Sequence, residues 1–99
     1  MIEFEWDEAK AEKNLREHGI AFIDVLTVFD DPYRITLEDS VVDHELRWRT
    51  IDTAQGVTVL LVIHLEEDSH QGLFVRIISA RKATASERSD YEQNRTNDI

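Results

Sequence analysis

Residues 57–65 read V-T-V-L-L-V-I-H-L and residues 73–82 read L-F-V-R-I-I-S-A-R-K, with Glu66, Glu67, Asp68, Ser69 and Gly72 among the residues between them. Two runs rich in Val, Ile and Leu, joined by a polar stretch containing glycine, predict an antiparallel β-hairpin with its turn in residues 66–72. Both arms are apolar on both faces for much of their length, which makes them central strands covered from each side. Polar side chains in such strands need partners or belong to a site. Here they are His64, Arg76 and Arg81.

The flanking sequence reads as cover for this hairpin. Residues 46–53 alternate and predict a strand that turns at Gln55-Gly56 into the central pair. Residues 2–6 predict a short strand or extended lead-in. Asp7 is a helix N-cap with Glu8 in the favourable first turn, residues 9–18 are helical, and Gly19 is the stop. Phe22, Val25, Leu26 and Phe29 recur at helical spacing and predict a second helix, closed by Asp30-Asp31-Pro32. Residues 33–37 predict a short strand and residues 38–45 an acidic loop. Thr84 and Glu87 form a capping box that opens a last helix running to about Asn94, with a frayed tail at Ile99. The sum is an α+β domain: two N-terminal helices packed on an antiparallel three- to four-stranded sheet, followed by a C-terminal helix.

Ninety-nine residues make one domain, which buries roughly 65% of its unfolded surface without staples. There is no cysteine, hence no disulfide framework, and a reducing compartment suits the chain. The N-terminus has no basic head followed by an apolar run, and no apolar run approaches the ~20 residues of a membrane span. The sequon at Asn94 has no meaning without secretion. Twenty-one acidic against 11 basic side chains give a net charge of −10. This disfavours a general nucleic-acid surface and suits a basic partner. Yet Arg76, Arg81, Lys82 and Arg88 fall close together, and Arg47 and Arg49 sit two apart, so a local basic site on an acidic chain stays open.

The segments Phe4-Glu5-Trp6-Asp7, Lys13-Asn14-Leu15 and His18-Gly19-Ile20-Ala21-Phe22 resemble the opening of the BrnT toxin family. Phe29-Asp30-Asp31-Pro32, Arg47-Trp48, residues 59–64, residues 76–84, Glu87-Arg88 and Tyr91-Glu92 continue the resemblance in the same order. It covers about residues 2–92. The resemblance implies a RelE-like fold and a cytoplasmic ribonuclease toxin of a type II toxin–antitoxin pair. The implied partner is a basic, BrnA-like ribbon-helix-helix antitoxin, in a hetero-oligomer that touches operator DNA only through the antitoxin. A metal is not required for such cleavage, and neither metal, cofactor nor membrane is expected.

RNA cleavage of that kind needs an activated 2′-hydroxyl, a stabilised phosphate charge and a protonated leaving oxygen. Arginine suits the phosphate because its planar fork matches two oxygens, and His, Lys or Tyr suit the proton transfers. Plain alternation places Leu73, Val75, Ile77, Ser79 and Arg81 on one strand face, and His64 on the face of Leu60 and Val62. Arg81, at the strand end beside Lys82, is the first candidate for the phosphate; the bland alternative is pairing with an acidic neighbour. His64 beside Arg81 is the candidate base or acid; otherwise it is a partnered core residue. Arg76 reads equally as a structural ion pair or a site residue. Arg47 adds a phosphate contact or is edge-strand surface charge, the second reading fitting Arg49 better. Tyr91 reaches the site from the last helix or simply packs that helix on the sheet. The predicted catalytic set is Arg81, His64, Arg47, Lys82 and Tyr91. A second class of function is a RelE-like binding module with weak or silent catalysis, kept for antitoxin assembly and operon control. Asp43, His44, Glu45 and His70 carry metal-type side chains, but their spacing places no two ligands on one face.

Overall fold

The computed structural model describes residues 2–54 and 58–97. The chain runs β1 (Ile2–Trp6), α1 (Glu8–His18), a 3-10 segment (Phe22–Asp30), β2 (Ile35–Val42), β3 (Glu45–Ala54), β4 (Thr58–Ser69), β5 (Gly72–Lys82) and α2 (Ala85–Asn97). The strands form one sheet in the order β1-β5-β4-β3-β2. β2 to β5 are antiparallel neighbours, whereas β1 lies parallel to β5.

The sheet therefore has five strands rather than three or four, and one of its pairs is parallel. The difference lies at the two edges of the sheet. Residues 2–6 alternate half-buried Ile2, Phe4 and Trp6 with exposed glutamates, a one-sided pattern that a sheet edge accepts. Residues 38–42 join β2 instead of looping, because β2 is the opposite edge and its acidic side chains stay in water. Such charges also discourage edge-to-edge pairing. The turn from β2 to β3 is only Asp43-His44, both with left-handed backbone (φ 51° and 66°). That is the twist-matched geometry of a two-residue hairpin, without the usual Asn-Gly signal. The connection between β4 and β5 is likewise shorter than predicted. β4 extends to Ser69, β5 begins at Gly72, and Ser69 pairs with Gly72.

The second predicted helix is a nine-residue 3-10 segment. It is rich in β-branched residues, which lose rotamer freedom against an α-helical turn, yet it still buries Phe22, Val25 and Phe29. The cap signals hold. Asp7 accepts from the Ala9 and Lys10 amides at 2.8 and 3.2 Å, and Gly19 takes φ 70°. Thr84 and Glu87 exchange their capping-box bonds at 2.8 and 3.2 Å, though α2 runs to Asn97. The turn expected at Gln55-Gly56 and the tail at Ile99 lie outside the described residues.

Both faces of the central hairpin are covered, as its composition predicts. On one face Phe22, Val25 and Phe29 pack on Leu60, Val62, Val75, Ile77 and Ala80. On the other Tyr91 packs on Ile51 and Leu61.

Candidate functional site

One residue of β5 decides which candidate side chains meet. Ile63 pairs with Ser79, but the next residue, His64, pairs with Ile77, so Ile78 is an extra residue in β5. Such a β-bulge shifts the alternation of the residues beyond it to the opposite face. Val75 and Ile77 therefore share a core with Ala80, while Arg81 stands opposite Leu61, which belongs to the core beneath α2. The face predicted by plain alternation, with Arg81 beside Val75 and Ile77, is corrected accordingly.

The consequence for His64 is direct. It lies on the face of Leu60 and Val62 as predicted, and so on the opposite face from Arg81. It is fully buried, edge-on to Phe29 with ring centroids 5.0 Å apart. Its Nε2 is 2.7 Å from Thr50 Oγ1, and Thr50 Oγ1 is 2.9 Å from Thr36 Oγ1. Burial, offset in part by the backbone at Leu65, pushes its pKa down to about 4. A neutral imidazole sealed under the 3-10 segment is a core residue, out of reach of a substrate on the Arg81 face.

That other face carries an arginine set. Arg49 pairs across to Ile63, Arg76 to Leu65 and Arg81 to Leu61. Ile63, Leu65 and Leu61 alternate on one side of β4, and Arg47 follows Arg49 at the same alternation. Arg47, Arg49, Arg76 and Arg81 thus share one sheet face, which α2 covers over Ile51 and Leu61.

Two of the four are engaged by carboxylates. Arg81 Nη1 and Nη2 donate to the two Glu87 oxygens at 2.8 and 3.0 Å, the bidentate form of the pair. The Arg81 hydrogen bonds hold the Glu87 carboxyl down to about 2 despite partial burial. Arg76 lies 3.4 Å from Glu5. Among the described residues Arg47 and Arg49 make no ion pair.

Lys82 is exposed and pairs with Leu60, which places it on the His64 face rather than beside Arg81. Tyr91 is on the Arg81 side but only 2% exposed, and its hydroxyl donates to Asp31 Oδ2 at 2.6 Å. Of the five predicted catalytic residues, Arg47 and Arg81 share an accessible face. Tyr91 is buried between α2 and that face, and His64 and Lys82 are on the other.

Asp31 is a residue that sequence reasoning used as a helix stop and as part of a family motif, without a role in the site. It accepts from the Tyr33 amide, the Thr53 amide, the Thr53 hydroxyl and the Tyr91 hydroxyl. Burial works to raise its pKa, but the bonds from Tyr91, Thr53 and Tyr33 outweigh it and hold the carboxyl below its usual range. Asp31 thereby ties the 3-10 segment, β3 and α2 together and fixes where α2 sits on the arginine face. Its place in an Asp-Asp-Pro run was the available signal.

Among the described residues no group of three or more His, Cys, Asp or Glu side chains is placed to hold a metal ion, and no helix is long and apolar enough to cross a membrane.

A family model described as ribonuclease toxin, BrnT, of type II toxin–antitoxin system matches residues 6–87. Among solved structures, the crystal structure of the Brucella abortus ribonuclease toxin BrnT superposes with a TM-score of 0.66 at 25% identity. The match covers 85% of this chain and 99% of that one. No curated protein matches.

Proposed function

The chain belongs to the BrnT family of type II ribonuclease toxins, and from that premise we propose that it cleaves RNA on the arginine face of its sheet. The observation that carries this reading is the shared face of Arg47, Arg49, Arg76 and Arg81. On a chain of net charge −10, Arg47 and Arg49 without ion pairs among the described residues, joined by Arg81 when a phosphate displaces Glu87, supply the local cations that phosphate binding requires.

In this reading Arg81 and Arg47 hold the scissile phosphate, and their forks stabilise the charge that builds on its oxygens. The reaction is a metal-independent attack of the 2′-hydroxyl on the phosphate, followed by departure of the 5′-oxygen. Tyr91 acts as a positioning residue through Asp31, and His64 holds the core. Lys82, exposed at the end of β5 but on the His64 face, takes no part; one proton leaves the 2′-hydroxyl to water and one reaches the departing 5′-oxygen from water. A ribbon-helix-helix antitoxin of basic charge neutralises the toxin in the cytoplasm, and the pair reaches operator DNA through that antitoxin.

A second reading is favoured by the ion pairs. Arg81 is clamped by Glu87 and Arg76 by Glu5, as expected of a binding module with weak catalysis. Induced expression separates the two, with growth and bulk RNA followed for wild type, Arg81→Ala and Glu87→Gln. Glutamine keeps the capping-box acceptor while releasing the guanidinium. For the ribonuclease, wild type and Glu87→Gln arrest growth and degrade RNA, while Arg81→Ala does neither. Harmless expression of the folded wild type leaves the binding module as the better reading.

A further inference from the structure

Beside the arginine face, beyond the last β3–β4 pair at Trp48 and His64, lies a groove of about 600 Å³. Its lining includes four carboxylates, Glu5, Glu45, Glu66 and Glu67, against one cation, Arg76. Glu5 already lies 3.4 Å from that cation. Trp48 and Phe74 also line it, so the groove combines negative charge with aromatic surface. Both features favour a Lys or Arg side chain and repel a phosphate backbone.

A second observation points the same way. Behind Glu66 lies the fully buried His64, whose Nδ1 has no hydrogen-bond partner and sits 3.6 Å from Glu66 Oε1. Among the described residues no Lys or Arg lies within ion-pair distance of Glu66. This half-buried carboxylate is backed by a neutral ring and opens on the groove, and only the longer-range charge of Arg34 acts on it from within the chain, so a cation brought from outside gives it the direct partner it lacks.

We infer that this groove receives a cationic side chain from a basic segment of the antitoxin, seated between the glutamates and the two aromatic rings. The inference rests on the toxin–antitoxin reading above and adds where the partner docks. Arg76 belongs both to the groove and to the arginine face, so a segment seated here reaches the edge of the surface assigned to RNA. Neutralisation then follows from occupancy of that edge, without a change of fold.

The test measures affinity between the full chain and its co-expressed antitoxin, for wild type and two charge-reversed variants. Glu45→Lys/Glu67→Lys alters two exposed groove residues; Glu12→Lys/Glu17→Lys makes the same charge change on α1. Thermal melting confirms that each variant folds. The groove variant is expected to bind about 100-fold more weakly, as desolvated charge contacts at a recognition site do, while the α1 variant stays within about threefold. Equal weakening of both variants, or full affinity in the groove variant, overturns the groove assignment and leaves the partner intact. Absence of wild-type binding overturns the antitoxin reading itself.

Discussion

Asp52 shows most clearly how burial alone alters a side chain here. It is completely inaccessible, and neither carboxylate oxygen has a hydrogen-bond partner. Burial, with the nearby Asp31 charge, raises its pKa to about 9 against a weaker opposing effect of Arg34. The folded state therefore keeps its proton from the unfolded pKa of 3.8 up to about 9. Within that window the folded state binds more protons than the unfolded one, so this group's contribution to stability falls as pH rises. Asp52→Asn is expected to stabilise the protein at pH 7, by an amount on the order of a few kcal/mol. The gain should shrink towards zero below about pH 3, where Asp52 is protonated in both states. Urea unfolding at both pH values checks this; an equal effect at both would mean that the carboxyl is not protonated in the fold.

At the scale of elements, what joins α1 to the sheet is a polar residue within an otherwise exposed helix. Asn14 is 4% exposed; its Nδ2 donates to the Ile20 carbonyl at 2.9 Å, and its Oδ1 accepts from the Ala80 amide at 3.0 Å. β1 pairs with β5 only as far as Ile77, so Asn14 takes the place of a strand neighbour for Ala80 beyond that point. Asn14→Ala leaves two backbone groups short of partners, and a loss of about 2–4 kcal/mol is expected. Urea denaturation measures it against Lys13→Ala, which breaks only a 3.9 Å pair between exposed side chains and should be nearly neutral. Comparable losses would show that Asn14 does not join the elements. The element reading from sequence was strongest where the signals were local. Asp7, Gly19 and the Thr84–Glu87 box act within one helical turn of themselves. It was weakest at residues 38–42, whose acidic composition describes an edge strand in water as well as it describes a loop.

For the whole molecule, the distribution of charge matters more than its sum. Four arginines share one sheet face, two of them paired with Glu5 and Glu87, and four glutamates line the groove beside them, so charge is spread unevenly over this acidic chain. Association with a basic antitoxin should accelerate at low salt and slow as ionic strength rises, because exposed charges are screened beyond about 10 Å at 0.1 M. Stopped-flow association between 50 and 500 mM salt reads this as a falling on-rate. A flat profile would remove charge steering from the account of partner choice.

The sequence by itself determined the α+β class, the central hairpin, the caps of both helices and the family. The first three rest on hydrophobic pattern or on contacts between residues near in sequence, and the family rests on the resemblance of its ordered motifs. It also singled out Arg47 and Arg81, which the strand register puts on one face of the sheet. Only the tertiary structure decided that His64 and Arg81 lie on opposite faces, that Tyr91 spends its hydroxyl on Asp31, and that β1 joins β5 in parallel. The physical reason is non-local. A single extra residue at Ile78 inverts the alternation of everything after it, and a bulge is set by cross-strand register and packing rather than by the residues around it. Asp31 gathers donors from Tyr33, Thr53 and Tyr91, and no local pattern announces partners that only the closed fold brings together.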